Sequence, residues 1–263
     1  MKSALHIYLN KIRSGINSFG QFCMAIQLRN IIIVLSLFFF NISVGQKADF
    51  LYKSGVIKYK AGDYRGAIAD FDQCIAADST KNFSAYYERG LAKIKIGELQ
   101  TALKDFDSYI MLVPSDENGF VYRGYVKYKL NDTKSAFADI NKAIDINPRN
   151  ALAYQYRGNI KIKLNDYRGS IADFNKAISL DPTDANNFFY RANAHYSLLN
   201  YKTAIIDFNK AIRMNPRFAV AYYNRGLAKV NAGELNQGCL DFSKAGELGY
   251  DQAYETIKKV CNK

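Results

Sequence analysis

Large apolar and small residues recur along the chain at a fixed spacing of 34 residues. With Ala151 as position 1 of one unit, position 4 is always large and apolar and position 8 always small, as in Tyr154 and Gly158. Position 20 is again small and position 24 again large, as in Ser170 and Phe174. Apolar residues at spacings of three and four, on either side of a short polar turn, predict two amphipathic helices, at about positions 2–14 and 17–30.

Six such units follow one another, and the first has one extra residue near its end. Proline at position 32 of four units ends the second helix, because proline cannot continue an α-helix. A period of this length predicts stacked helical hairpins rather than a globular domain with one central core. The units span residues 48–82, 83–116, 117–150, 151–184, 185–218 and 219–252.

This pattern resembles the tetratricopeptide repeat family, whose unit also has about 34 residues. The resemblance covers residues 48–252 and implies an all-α fold, an α-solenoid of six stacked helix-turn-helix repeats. After Gly249 one more short segment remains, which predicts a C-terminal capping helix over residues 253–263 with a polar outer face. The sequence departs from the family pattern at position 7, where Arg replaces the usual Leu, and it has no Trp.

One large side chain interrupts the regular pattern of the units. Tyr109 stands at position 27, where four other units have Ala. We expect its ring to push the next helix away, because helix interfaces are close-packed. The stack should then be irregular between repeats two and three, unless Gly119 gives the space back.

The first 45 residues lie outside the repeats and have the layout of a secretory signal. Arg29 precedes an apolar run over residues 31–40, and Ser43 and Gly45 supply small residues before a cleavage site. The run is shorter than the about 20 residues that cross a bilayer. We expect residues 1–45 to be a signal peptide, with Met24 as an alternative start, and the protein to be exported to the periplasm, the envelope or the medium. The alternative is an uncleaved segment that anchors the chain in a membrane.

Position 23 is Asp in all six units, and position 7 is Arg in five, with Ser54 in the first. If each Asp paired within its own unit, the first unit would lack an Arg. Pairing with the Arg of the following unit gives every Arg a partner, so we predict structural, bidentate ion pairs between successive repeats. The predicted pairs are Asp70–Arg89, Asp105–Arg123, Asp139–Arg157, Asp173–Arg191 and Asp207–Arg225.

The family resemblance implies that the first helices line a concave surface, where extended peptides or partner helices dock. Carried over by position, this surface is rich in aromatic residues with a basic margin, which suits a protein or peptide with acidic and apolar side chains. The alternative is that many of these rings pack against neighbouring helices. The predicted partner-binding residues are Tyr52, Tyr87, Tyr125, Tyr128, Phe189, Tyr196, Tyr223, Lys95, Lys129 and Lys163.

No pattern in the sequence marks a catalytic, cofactor or metal site. His195 stands at position 11, where most units have Lys, and we interpret it as a surface substitution. There are no clustered metal ligands and no glycine-rich phosphate loop. The net charge of +12 comes from interspersed charges, which argues against a nucleic-acid partner. We therefore expect a non-catalytic protein-binding scaffold; the alternatives are a docking arm of a membrane-envelope complex and a cell-wall or glycan binder.

Two cysteines flank the end of the array at equal distances. Cys239 and Cys261 lie eleven residues before and after Tyr250, so a hairpin turning there puts them at the same height. Export would make a disulfide chemically reasonable. The alternative is a pair of buried free thiols, because the azimuth of each side chain matters as much as its height.

Overall fold

The computed structural model describes residues 45–78 and 82–261, where every regular element is an α-helix. The predicted all-α fold of stacked helix pairs is confirmed. Helix α1 covers residues 45–60 of the described range. The others are α2 Tyr64–Ala77, α3 Phe83–Lys95, α4 Leu99–Leu112, α5 Glu117–Lys129, α6 Thr133–Ile146, α7 Ala151–Lys163, α8 Tyr167–Leu180, α9 Ala185–Ser197, α10 Tyr201–Met214, α11 Ala219–Asn231, α12 Leu235–Glu247 and α13 Gln252–Val260.

None of the helices in these ranges is both long enough and apolar enough to cross a membrane. The predicted signal peptide, residues 1–45, lies outside the described residues except for Gly45. The helices form two compact units, one ending at Ala85 and one beginning at Tyr86. In the second unit, α5, α7, α9 and α11 each pack against the helix that follows, and each pair packs against the next.

The alternation of small and large positions explains how the two helices of a repeat approach. Phe174, at position 24, is fully buried, and its ring lies against Gly158 of α7. A Cβ atom on Gly158 would lie 2.8 Å from Cζ of Phe174. The ring therefore fills the space that the missing side chain leaves, and this contact sets the distance between α7 and α8.

Tyr109 is accommodated in the stack by Gly119. The tyrosine is 6% exposed, and its hydroxyl donates a hydrogen bond to the Asp116 carboxylate. A Cβ atom on Gly119 would lie 2.9 Å from Cδ1 of Tyr109. Because Gly119 has no side chain, the Tyr109 ring fits between the helices, and α5 packs against α4.

The arginine at position 7 pairs with the aspartate of its own repeat, so the predicted pairing between repeats is wrong. Arg157, for example, donates from Nε and Nη2 to the two carboxylate oxygens of Asp173, at 3.0 Å and 2.7 Å. In the first repeat, Asp70 accepts a hydrogen bond from Ser54 and pairs with Lys58. The observed pairs are Arg89–Asp105, Arg123–Asp139, Arg157–Asp173, Arg191–Asp207 and Arg225–Asp241.

The physical reason lies in a second cation that sequence analysis overlooked. The lysine at position 11, one helical turn after the arginine, reaches the same carboxylate. Its presence in the first repeat, as Lys58, compensates for the missing arginine. The other lysine pairs are Lys93–Asp105, Lys127–Asp139, Lys161–Asp173 and Lys229–Asp241.

The same arginines do connect repeats, through another residue. Nη1 of Arg157 donates to Asn141 of the preceding repeat at 3.0 Å, and Nη1 of Arg191 donates to Asn175 at 2.7 Å. In Arg157 and Arg191, Nε and Nη2 thus bind the aspartate of their own repeat, and Nη1 binds an asparagine of the previous one. This planar fork fixes the register of the stack.

The C-terminal helix closes the last repeat. Helix α13 packs against α12, and Ala253 is buried beside Tyr223 and Phe242. Cys239 and Cys261 form a disulfide with a Cα–Cα distance of 6.0 Å, the first of the two alternatives considered above. Cys74 is a buried thiol.

Candidate partner-binding site

Position 5 of the first helices faces the core. Phe189 and Tyr223 are 7% and 8% exposed, and their rings lie 5.9 Å and 5.5 Å from those of Phe208 and Phe242. The prediction that Phe189 and Tyr223 line the binding surface is therefore wrong. Their position packs against the phenylalanine at position 24 of the same repeat. Rings that make the same contact elsewhere are Tyr52, on Phe71, and Tyr87, on Phe106.

Tyr125, Tyr128 and Lys129, which sequence analysis also proposed, do come together. They line a pocket of about 350 Å³ on the first helices of repeats three to five. We name it the tyrosine pocket. Its lining residues are Tyr125, Tyr128, Lys129, Gln155, Tyr156, Asn159, Asn186 and Tyr190.

The tyrosine rings of this pocket are held by neighbouring rings. Tyr125 stacks on Tyr156 of the next repeat, with ring centroids 4.9 Å apart and an interplanar angle of 28°. Tyr190 stacks on the buried ring of Phe174 at 6.0 Å. The ammonium group of Lys129 lies 5.9 Å from the ring centre of Tyr125. Because ring pairs of this kind fix the side-chain rotamers, the aromatic wall is preorganised.

A network of amides and a carboxylate holds the polar wall of the pocket. The side-chain amide of Gln155 donates to Oδ2 of Asp184 at 2.5 Å and to Oδ1 of Asn187 at 2.9 Å. Asp184 also caps α9 by accepting a hydrogen bond from the backbone N–H of Asn186. The orientation of Gln155 is thus fixed by Asp184 at the end of its own repeat and by Asn187 of the next one.

Tyr156 and Tyr190 stay protonated at physiological pH. Burial raises the pKa of Tyr156 above its ordinary value, and the neighbouring tyrosines and the Asp184 carboxylate raise it further. Burial is also the main cause of the raised pKa of Tyr190. Neutral phenols can donate hydrogen bonds to a ligand as well as present their ring faces.

Sequence analysis did not identify Tyr156 and Tyr190, although a signal for them exists. Both stand at position 6, as does Tyr122 one repeat earlier, and position 6 is polar in the other repeats. Successive residues of a helix point about 100° apart. Position 6 therefore faces the surface, whereas the rings of Phe189 and Tyr223 at position 5 face the core.

The remaining predicted residues lie outside the tyrosine pocket. Lys163 is exposed, and its ammonium group lies 5.2 Å from the ring centre of Tyr128, at the edge of the pocket. The hydroxyl of Tyr196 accepts a hydrogen bond from Asn231 at 2.8 Å. Lys95 is exposed on α3. Among these residues, Lys163 is the one that adds charge next to the pocket.

His195 is half-buried, so its interpretation as a surface substitution is wrong. Its Nδ1 atom is buried and has no hydrogen-bond partner. Burial lowers the pKa of the imidazole, while the Asp207 carboxylate raises it and Arg191 lowers it. Across residues 45–78 and 82–261, the side chains of His, Cys, Asp and Glu nowhere gather in threes at a spacing that could hold a metal.

Comparisons with known proteins identify the repeat. Models of the tetratricopeptide repeat match residues 52–117 and 123–150, and a TPR repeat model matches residues 158–198. No curated protein matches the sequence.

Solved structures share the fold at low sequence identity. A tetratricopeptide repeat protein from Parabacteroides merdae is 21% identical, with 82% of this chain and 98% of that one covered and a TM-score of 0.58. Cut9, in the APC/C hetero-tetramer with Hcn1, is 14% identical, with 86% and 45% covered and a TM-score of 0.76. YrrB, a TPR protein with an unusual peptide-binding site, is 19% identical, with 66% and 90% covered and a TM-score of 0.52. Together with the family models, they show that this chain belongs to the tetratricopeptide repeat family.

Proposed function

We propose that this protein is an exported, non-catalytic scaffold that binds a peptide or partner protein at the tyrosine pocket. The observation that carries the proposal is a preformed cavity of about 350 Å³, built by three successive repeats. Tyr125 stacks on Tyr156, Tyr190 stacks on Phe174, and the side-chain amides of Gln155 and Asn186 are hydrogen-bonded. A preorganised pocket loses little conformational entropy when a ligand binds, which favours recognition of an extended segment.

The lining favours a segment that carries an apolar or aromatic side chain next to an acidic one. Tyr156 and Tyr190 supply ring faces for the apolar group, and Asn159 and Asn186 supply amides for hydrogen bonds to a peptide backbone. Lys129 is exposed at the rim. An acidic side chain that approaches this ammonium would complement its charge and fix the direction of the bound segment.

A photoreactive residue in place of Tyr125 tests this proposal in the native cell. We expect a discrete protein adduct whose crosslinked segment, read by mass spectrometry, contains acidic and apolar residues. The matched control carries the same photoreactive residue in place of Met111, which is 80% exposed on α4, outside the pocket. The proposal fails if Tyr125 gives no protein adduct, and an adduct at Tyr196 alone would place the binding surface outside the tyrosine pocket. Glycan binding by the purified protein, without such an adduct, would favour the cell-wall binder instead.

The export part of the proposal rests on the layout of residues 29–45. The same mass-spectrometric run reads the N-terminus of the mature chain. A chain that starts at Gln46 supports export with cleavage. A chain that retains residues 31–40 contradicts it and favours a docking arm held in the membrane by its N-terminal segment.

A further inference from the structure

The second helices of the later repeats present a regular set of side chains on the side away from the core. Positions 18, 22 and 26 lie about one turn apart and share one face of the helix. On the same helices, positions 20, 23 and 24 are buried. We name the exposed side chains at positions 18, 22 and 26 of α8, α10 and α12 the outer face. Its residues are Arg168, Ala172, Lys176, Lys202, Ile206, Lys210, Asn236, Leu240 and Lys244.

The charge of this face has one sign along α8 and α10. The acidic residues within these two helices are Asp173 and Asp207, which are buried and paired with arginines. The exposed carboxylate of Asp166, just before α8, accepts a hydrogen bond from the backbone N–H of Gly169 and so caps the helix. The exposed bases of the two helices are Arg168, Lys176, Lys202, Lys210 and Arg213.

Two large aliphatic side chains stand on this face in the last two repeats. One lies between Lys202 and Lys210 of α10, and the other lies on α12 next to Lys244, which pairs with Glu247 at 2.9 Å. Ile206 and Leu240 occupy position 22 of successive repeats and are 65% and 71% exposed. Their helices, α10 and α12, both pack against α11. Single exposed apolar residues are ordinary, but these two side chains stand at the same position of successive repeats, on helices that share α11 as a neighbour. Position 22 in the other repeats is Ala69, Lys104, Ala138 and Ala172.

Leu199, in the turn before α10, is a further exposed aliphatic side chain, and its backbone conformation is energetically unfavourable. It has a φ of 61° and is 69% exposed, at position 15, where the other repeats have Gly or Asn. A branched aliphatic residue is disfavoured in the left-handed region. Leu199 lines a depression of about 360 Å³ together with Tyr201 and Lys202. An exposed leucine in a strained conformation is not explained by packing within the chain.

We propose that the outer face of α8, α10 and α12 docks on an anionic lipid membrane surface. The lysines and arginines would face acidic headgroups, while Ile206, Leu240 and Leu199 enter the boundary between headgroups and acyl chains. A nucleic acid would pair its phosphates with the lysines and arginines, but these phosphate contacts would not involve the exposed aliphatic side chains. The tyrosine pocket lies on the first helices, so docking through the second helices leaves it accessible.

Photocrosslinking to lipid tests the proposal at single residues. A lipid adduct reports contact at the substituted position, so membrane binding by another part of the chain gives no signal there. Full-length protein with a photoreactive residue in place of Ile206, or of Leu240, is irradiated with vesicles of phosphatidylglycerol and phosphatidylcholine. We expect lipid adducts at both sites. The matched control replaces Leu164, which is 55% exposed in the turn between α7 and α8. Equal adduct yields at Leu164, or equal yields on pure phosphatidylcholine, would overturn the proposal.

Charge variants separate this proposal from the peptide-binding one. The double change Lys202→Glu and Lys210→Glu should lower the lipid adduct yield at least about tenfold, since each base adds to attraction by the anionic surface. The same charge change on the first helices, Lys129→Glu with Lys163→Glu, should leave the lipid adducts unchanged. Two further measurements distinguish a lipid site from a general polyanion site: vesicle binding by Ile206→Ser with Leu240→Ser, and DNA binding by Lys202→Glu with Lys210→Glu. If the first variant still binds vesicles and the second no longer binds DNA, the face binds polyanions and the lipid proposal is wrong.

Discussion

At the scale of single residues, a buried carboxylate joins the two helices of each repeat. Asp173 is 3% exposed and is paired with both Arg157 and Lys161, each at 2.7 Å. A buried charge is tolerated only where its partners replace the lost water. In the fifth repeat, Asp207 pairs with Arg191, and His195 stands where the lysine would be.

Replacing His195 with Lys should increase stability, and more so at acidic pH. Burial holds the pKa of His195 below its ordinary value of 6.5, despite the opposing effect of Asp207. Below about pH 6.5 the unfolded chain therefore binds more protons than the folded one, and the wild type loses stability. Lysine removes this loss and should add an ion pair worth about 0.5–1 kcal/mol. Urea unfolding at about pH 7.5 and about pH 5.5 measures both effects.

The reciprocal control is Lys161→His in the fourth repeat, which removes the 2.7 Å pair with Asp173. This variant should gain the pH dependence that His195→Lys loses. If the wild type and His195→Lys lose stability in parallel as the pH falls, another group causes the effect.

At the scale of the helix pair, the sixth repeat has glycine at both small positions, Gly226 and Gly238. A Cβ atom on Gly238 would lie 2.8 Å from the carbonyl oxygen of Gly226 and 2.6 Å from Cγ2 of Val230. A backbone oxygen cannot move aside as a flexible side chain can. The spacing of α11 and α12 therefore depends on the absence of this methyl group.

Gly238→Ala should destabilise the protein by about 1–3 kcal/mol through overpacking. This expectation runs against the repeat pattern, because Ala stands at the same position in repeats one, two, three and five. The expected cost of overpacking also outweighs the about 1 kcal/mol by which alanine stabilises a helix relative to glycine. Thermal unfolding measures the difference, with Ala204→Gly in repeat five as the companion variant, also expected to destabilise. An increase in the melting temperature of Gly238→Ala would contradict the close approach.

The capping helix α13 should depend on its disulfide. The Cys239–Cys261 bond spans 22 residues, and a loop of that length corresponds to about 3 kcal/mol in the chain-entropy account. Because repeats contact mainly their neighbours, the loss should stay local. Cys261→Ser should therefore speed amide hydrogen exchange in α13 and leave α7 unchanged. Equal acceleration in both helices would show that the bond stabilises the whole array instead.

At the scale of the whole molecule, the 34-residue period predicts the helices because each repeat builds its core from local contacts. Gly158 and Phe174 can be matched by spacing alone. The period does not show which neighbour a long polar side chain reaches, since Asp173 is equally regular with respect to Arg157 and Arg191. It also does not by itself show which of two adjacent positions faces outward; the polar residues at position 6 of the other repeats are the signal that marks this position as exposed.

Interchangeable units can in principle be added without limit, as monomers are added to a growing polymer. Helix α13 covers the surface of the sixth repeat around Tyr223 and Phe242 that another unit would otherwise occupy. If that surface were uncovered, a second copy could add head to tail, and such contacts do not close on themselves. We therefore expect the disulfide-locked helix to act as a chain terminator, which blocks head-to-tail addition at this end of the array.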